Sequence, residues 1–364
     1  MGYKKLITIV ICLVILPFFA SAGDDFDIKV YPAGKITGGQ VKIDGKIDEA
    51  VWQKLPVAGG FTYFNRNEPV VVQTYFYAGY DNEYLYIAVR CTEPFSSKLV
   101  PVPAGRDSTD VFSGESLEIF IDPGHSHVFY YQIVASYGGC IYDSREMDSG
   151  WDSDIRVETS TKDGEWLLEA AVPWSDLEVI SRETGAVPFV PREGTVLGVN
   201  ICRNRRLGGP TEYMNWSQTT TGFHDPLHFG HFVLSAADRQ PDLQSLEKEL
   251  RKDNRHGLIV MSGSEGQVVE GYRKMAAASL SAVEEVLREA ENLKSLIDQK
   301  NLPQIGEFIG RMTEEIKRTR KVFAEGNKDD LSFLGMINRE ISGVKSEIEK
   351  GLWTFKLAIL LESI

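Results

Sequence analysis

The apolar residues of this 364-residue chain repeat with two different periods, and the change near Pro241 is what most limits its fold. Upstream the period is two. In EYLYIAVRC, Leu85, Ile87, Val89 and Cys91 share one face, while Tyr84, Tyr86, Ala88 and Arg90 share the other. SLEIFID, VFYYQIVAS, EWLLEAAVPW, TVLGVNICR and HFGHFVL alternate in the same way. Turn pairs such as Asp81-Asn82, Pro123-Gly124, Gly138-Gly139 and Asp163-Gly164 separate them. Many short strands with little helix between predict an antiparallel, jelly-roll-like β-sandwich over residues 23–238.

Downstream, over 241–364, the apolar residues step by threes and fours. One series is Tyr272, Met275, Ser279, Val283, Val286, Ala290, Leu293 and Ile297. A second is Ile305, Ile309, Met312, Ile316, Thr319 and Phe323, and a third is Leu334, Ile337, Ile341, Val344, Ile348, Leu352 and Phe355. Glu, Lys and Arg fill the intervening positions, so each segment presents one apolar stripe. Breaks at Asn301-Leu302-Pro303 and Gly326-Asn327 divide the region into three helices, expected to form a bundle or a coiled-coil arm. The third stripe runs on through Trp353, Leu357 and Leu360, an apolar surplus that predicts self-association or docking on a partner protein.

The formal net charge of −13 argues against nucleic acid, which needs clustered Lys and Arg. The first 22 residues combine a basic start, MGYKK, an apolar run and Ala20-Ser21-Ala22, which reads as a secretory signal peptide cut after Ala22. The apolar run is about 14 residues, short of the ~20 that a membrane span needs, so no transmembrane segment is expected after cleavage. The mature chain is therefore expected to be secreted or periplasmic. It would keep Cys91, Cys140 and Cys202, read as small buried hydrophobes, although one disulfide among them is open.

Five segments follow one another in a characteristic order: VKIDGKIDEAVWQKL, DNEYLYIAVRC, ESLEIFIDPG, DGEWLLEAAVPWSDL and GFHDPLHFGHFVL. In that order and style, residues 40–234 resemble carbohydrate-binding module family 9. The resemblance implies an antiparallel β-sandwich that holds a sugar between two aromatic rings, with polar side chains reading its hydroxyls. It assigns the rings to Phe112 and Phe223, where the best-known members carry tryptophan. It assigns Glu118 as a polar contact and Gln132 at a position occupied by Arg in the xylanase members. A glycan is the implied partner, and carbohydrate catabolism the implied context.

The residues themselves point the same way. On SLEIFID, Leu117, Ile119 and Ile121 form the core face, so Glu118 and Phe120 point outward. Gln132 lies opposite Tyr131 and Ile133. Asn200 and Cys202 oppose Leu197, Val199 and Ile201, with Arg203, Asn204 and Arg205 at the strand end. A face of Glu, Gln, Asn and Arg among aromatics suits sugars, whose C–H faces stack on rings while their hydroxyls need polar partners. The binding set expected is Phe112, Glu118, Gln132, Arg203, Trp216, Phe223 and His224, with no catalytic residue.

The same residue types also admit other chemistries. His224, His228 and His231 are spaced H-x3-H-x2-H, but Pro226 and Gly230 interrupt the helix that would align them, so zinc is not expected there. His224 is placed beside the sugar, with His228 and His231 structural and Gly230 allowing close packing. Glu118 and Glu169 would be the carboxylates of a glycoside hydrolase, the alternative function. Haem, bound by Met147 or Met214 with His224 or His231 as in DOMON-like domains, is a further alternative. No cofactor is required; structural calcium is compatible with Asp107, Asp110, Asp122, Asp152 and Asp154, without assigned ligands.

Overall fold

The computed structural model describes residues 26–361 apart from 65–67, 103–104, 182–183, 237–239, 256, 264 and 293–302. The expected signal peptide, 1–22, lies outside the described residues. The rest separates into two compact units, one ending at Val269 and the other beginning at Glu270.

The alternating segments are strands. They are β1 (Ile28–Lys35), β2 (Thr62–Tyr63), β3 (Thr74–Tyr80), β4 (Tyr84–Thr92), β5 (Ser116–Asp122), β6 (Tyr131–Ser136), β7 (Ile141–Arg145), β8 (Arg156–Lys162) and β9 (Glu165–Pro173). A two-stranded ribbon, β10 (Glu178–Ser181) with β11 (Gly185–Pro188), precedes β12 (Val196–Arg205), β13 (Glu212–Asn215), β14 (Gly230–Ser235) and β15 (Ile259–Met261). The main path runs β7-β6-β5-β12-β14-β1-β3-β4-β9-β8. β1 and β3 pair only at Gly34–Gly79 and Lys35–Tyr80, where the path turns from one layer into the other. Between the layers lies one core, with Leu117, Ile119 and Ile121 from β5, Leu85, Ile87 and Val89 from β4, and Trp166 and Leu168 from β9.

The sandwich is mixed, not antiparallel throughout. β1 runs parallel to β14, β15 and β3, because it enters from outside any hairpin and closes the path between the layers. The unit also continues past Pro241. Helix α1 (Leu243–Leu250), capped by the Asp242 carboxylate, sets Leu250 against Ile28, Val30 and Val233, and β15 then adds to β1.

The second unit holds α2 (Glu265–Asn292) from Glu270 onward, α3 (Pro303–Glu325) and α4 (Leu331–Leu361), which share one apolar core. Ile309, Met312 and Ile316 face it from α3, and Ile337, Ile341, Val344, Ile348 and Leu352 from α4, as the stripes anticipate. On α2 the inward residues are Ala276, Leu280, Val283 and Leu287; the expected stripe is turned, since Met275 and Ser279 yield to Ala276 and Leu280. Ion pairs Arg318–Glu340 (2.9 Å) and Arg311–Glu347 (3.3 Å) join α3 to α4 on the outside. Leu293, Ile297 and the side chains of Ala290, Ile305 and Phe355 lie outside the described residues. No described helix is long and apolar enough to cross a membrane.

Candidate functional site

Because side chains alternate, each layer has an outer face as well as a core face. On the outer face of β5 and β12, the register sets Glu118 opposite Cys202 and Ser116 opposite Asn204. Asn204 Nδ2 donates to Glu118 at 2.7 Å and to Ser116 Oγ at 3.1 Å. Gln132 Nε2, from β6, donates to the other Glu118 oxygen at 2.8 Å, and Ser144 Oγ on β7 donates to Gln132 at 3.2 Å. Both Glu118 oxygens are thus oriented by amides. A carboxylate has about four lone-pair sites, so two remain for a ligand. Burial raises the Glu118 pKa, and the two amide bonds oppose that shift.

Above this carboxylate opens a cleft of about 390 Å³, lined by Phe64, Phe112, Glu118, Asn204, Arg206, Tyr213, Phe223 and His224. Phe112 comes from the short 3-10 turn Thr109–Ser113 and is braced edge-on by Tyr142, centroids 5.3 Å apart. Phe223 is braced edge-on by Phe64 at 5.8 Å and by Tyr213 at 6.3 Å. Arg206 donates to the Phe112 carbonyl and to Thr211 Oγ1, with its guanidinium 5.9 Å from the Tyr213 ring centroid. Tyr130 holds His224 Nδ1 at 3.0 Å.

The structure therefore brings Phe112, Glu118, Phe223 and His224 to one cleft, with Gln132 behind Glu118. It does not bring Arg203 or Trp216 there. Arg203 has the same parity as Val199 and Ile201, so it points between the layers; it pairs with Glu93 at 3.0 Å and donates to the Thr92 carbonyl at 2.9 Å. Both partners belong to the opposite layer, and Arg203 is fully buried. Trp216 is also core, meeting Phe76 edge-on at 5.1 Å and Phe232 at 5.8 Å. A Cβ on Gly230 would lie 2.4 Å from the Trp216 ring, so glycine is needed there for packing. Sequence reasoning missed Phe64, Asn204, Arg206 and Tyr213. Asn204 was detectable by carrying the alternation of Asn200 and Cys202 one step further; the others lie on turns and a short strand with no periodic signal.

The alternatives resolve on the same geometry. Glu169 lies on the outer face of β9, in the other layer, and accepts from Gly45 N (2.9 Å), Asp44 N (3.1 Å) and Trp52 Nε1 (3.0 Å). Glu118 and Glu169 are thus separated by the whole core, whose sheets stack ~10 Å apart, and do not form a hydrolase pair. Met214 is buried in the core between the layers, away from the outer-face His231, and Met147 is exposed. The three histidines of the H-x3-H-x2-H run diverge: His224 to Tyr130, His228 to Asp225 at 2.9 Å, and His231 to His125 at 2.9 Å. Cys91 and Cys202 are buried as free thiols, and Cys140 is half-buried with its Sγ 3.2 Å from the Gly105 carbonyl oxygen.

Among the calcium candidates, Asp107 and Asp152 come together with Asp143. Arg106 stands among them, 2.5 Å from Asp143, 3.8 Å from Asp107 and 3.7 Å from Asp152, so a guanidinium supplies the cation. Asp154 and Asp110 lie elsewhere, on Asp176 and Ser108, and Asp122 binds its own turn. A larger depression of about 1090 Å³ flanks Asp81, Tyr84 and Tyr86. There Asp81 is satisfied by Glu83 N, Tyr84 N and Tyr86 Oη, whereas in the smaller cleft Glu118 stands among rings from separate segments, so the smaller cleft is taken as the candidate site.

The model of the carbohydrate family 9 binding domain-like family matches residues 43–237, more than half of the chain. The chain belongs to that family. Among solved structures it is similar to a family 9 carbohydrate-binding module from Caldicellulosiruptor kristjanssonii in complex with cellotriose, at 15% identity over 59% of this chain and 96% of that one, TM-score 0.41. A second, in complex with glucose, matches at 16% identity over 59% and 98%, TM-score 0.40. No curated protein matches the chain.

Proposed function

We propose that this chain is an exported, non-catalytic glycan-binding protein whose sugar site is the Phe112–Phe223 cleft. The observation that carries this is the convergence of four separated segments. Phe64, Phe112, Tyr213 and Phe223 supply rings around an oriented Glu118–Asn204 pair and Arg206. Apolar sugar faces need the first kind of surface and sugar hydroxyls the second, in one place. The half-buried rings and partly free lone pairs of Glu118 leave unsatisfied capacity that a sugar would complete.

The helical unit, in this reading, links the module to further copies or to a partner protein, and adds avidity to a weak site. Trp353 (49% exposed) and Leu357 (44%) on α4 support an outward apolar edge. Light scattering on the mature chain tests this: Trp353→Ala with Leu357→Ala should shift an oligomer toward monomer. A monomer in both forms, with no partner recovered, contradicts it. The sugar site is tested on a glycan panel that includes glucose and cellotriose, with binding measured by calorimetry and release of reducing sugar followed in parallel. Retention without hydrolysis is expected; hydrolysis would restore the enzyme reading.

A further inference from the structure

Away from the cleft, three histidines converge in the same unit. His125 and His127 stand in the turn after β5, and His231 on the outer face of β14, next to β12. Their exposures are 3%, 7% and 0%. His125 Nε2 is 2.9 Å from His231 Nδ1 and 3.0 Å from His127 Nε2, and one nitrogen of each ring lies within 4.8 Å of the other two. The sequence alone shows only H-x-H here; strand order supplies the third ring.

The opposite nitrogens of two rings are already engaged. His125 Nδ1 meets Glu249 at 2.5 Å and His127 Nδ1 meets Asp253 at 2.6 Å. A neutral imidazole has one N–H, and in both rings the carboxylate takes it. The two Nε2 atoms then present bare lone pairs to one another at 3.0 Å, an arrangement that calls for a cation between them. Carboxylates on the far nitrogen of ligating histidines are also what fixes tautomer and raises basicity at metal sites. The backbone is held to this end: His125 (φ 46°), His127 (φ 60°) and Asp253 (φ 61°) all adopt left-handed conformations that non-glycine residues rarely take. Asp122 fastens the turn by accepting from His127 N at 2.7 Å, and Lys252 Nζ donates to the His125 carbonyl at 2.6 Å.

We infer that His125, His127 and His231 bind a divalent first-row transition ion such as zinc, with Glu249 and Asp253 orienting the first two rings. Imidazole nitrogen favours such ions over calcium, which takes oxygen. Tetrahedral zinc at ~2.0–2.1 Å from each nitrogen spaces its ligands ~3.3 Å apart, a small expansion of the present cluster. Two cations stand near the cluster: Lys252, held by the His125 carbonyl and 3.9 Å from Glu249, and Arg255, whose Nη1 lies 3.1 Å from His231 Nε2. Ligation through Nδ1 transfers the ring hydrogen to Nε2 and breaks that contact, while Arg255 keeps its 2.8 Å bond to the Phe229 carbonyl. The ion would clasp the β5–β6 turn to β14 and, through the carboxylates, to the α1 segment that follows the sandwich.

The test uses the full chain, stripped of metal by chelation and titrated with zinc alone against a chromophoric chelator. One zinc per chain is expected, with a rise in melting temperature on binding. Glu249→Gln should weaken zinc binding about 10- to 100-fold, as loss of an orienting carboxylate does. His127→Ala should abolish the stoichiometric site, and His231→Ala should do the same if it folds; His228→Ala should leave it intact. Cobalt in place of zinc should give the visible absorption of a tetrahedral, nitrogen-rich site. A wild-type chain that takes up no zinc overturns the inference and leaves a hydrogen-bonded histidine triad. Uptake unchanged by both His127→Ala and Glu249→Gln overturns it too, by placing the zinc elsewhere.

Discussion

Each layer of the sandwich turns a buried glutamate outward, Glu118 on one side and Glu169 on the other. Their local sequences are alike, LEIFI and LEAAV, and alternation aims both away from the core. Their surroundings differ. Over Glu169 the chain lays its own segment, so two backbone N–H groups and the Trp52 indole consume both oxygens. Around Glu118 the donors are two side-chain amides from neighbouring strands, and above it lie rings and open space. The same residue on the same kind of strand thus serves packing where the chain covers it, and faces the proposed sugar cleft where the chain leaves it uncovered.

The largest effect should come from neither glutamate but from the ion pairs between the layers. Arg203→Ala takes one of its two guanidinium partners from the fully buried Glu93, leaving Arg205 at 2.8 Å as the other, and empties a fully buried side-chain site. Breaking a buried pair of this kind costs about 3–5 kcal/mol, so chemical denaturation should show the sandwich destabilised by that amount. A loss of sugar affinity in a fully stable Arg203→Ala protein would instead return Arg203 to the site.

Glu169→Gln comes next. The amide offers a single acceptor oxygen where three donors converge, and one unsatisfied buried donor costs about 1–3 kcal/mol. Stability should fall by that much with sugar affinity unchanged. Glu118→Gln should do the reverse, lowering affinity while changing stability little at low pH. The sign follows from burial, which raises the folded-state pKa of Glu118. Its neutral form favours folding fully below the unfolded value of ~4.3, and that contribution is lost as pH rises through the raised folded value. Wild type should therefore lose stability relative to Glu118→Gln across that window. Parallel pH–stability curves for the two proteins would contradict the assignment.

This contrast was half legible in the sequence. The outward parity of Glu118, Phe120 and Gln132 follows from alternation, as does the inward parity of Leu117, Ile119 and Ile121. Arg203 does not join the cleft because the alternation counted as far as Cys202 carries on through the residues placed at the strand end. β12 continues to Arg205, so the alternation runs on, turning Arg203 inward and Asn204 outward. Trp216 follows the last residue of β13, where no period indicates a face, and its burial depends on the glycine of a distant strand, Gly230. The histidine cluster was hidden for a different reason. His231 was read with its neighbours in sequence, whereas the order β5-β12-β14 brings it to residues more than a hundred positions away. On α2 the stripe was turned because Ala276 and Leu280 compete with Met275 and Ser279 at adjacent positions, and only packing against α3 and α4 selects between them.

The most direct measurement is calorimetric titration of the mature chain with the sugar that a glycan panel selects, comparing wild type with Phe112→Ala and Phe223→Ala. Loss of one stacked aromatic surface should weaken binding by about 1–3 kcal/mol in each variant, with melting curves close to wild type because both rings are only half-buried. Affinities equal to wild type in both variants, or no sugar bound by the wild type at all, would contradict the account of this cleft as the binding site.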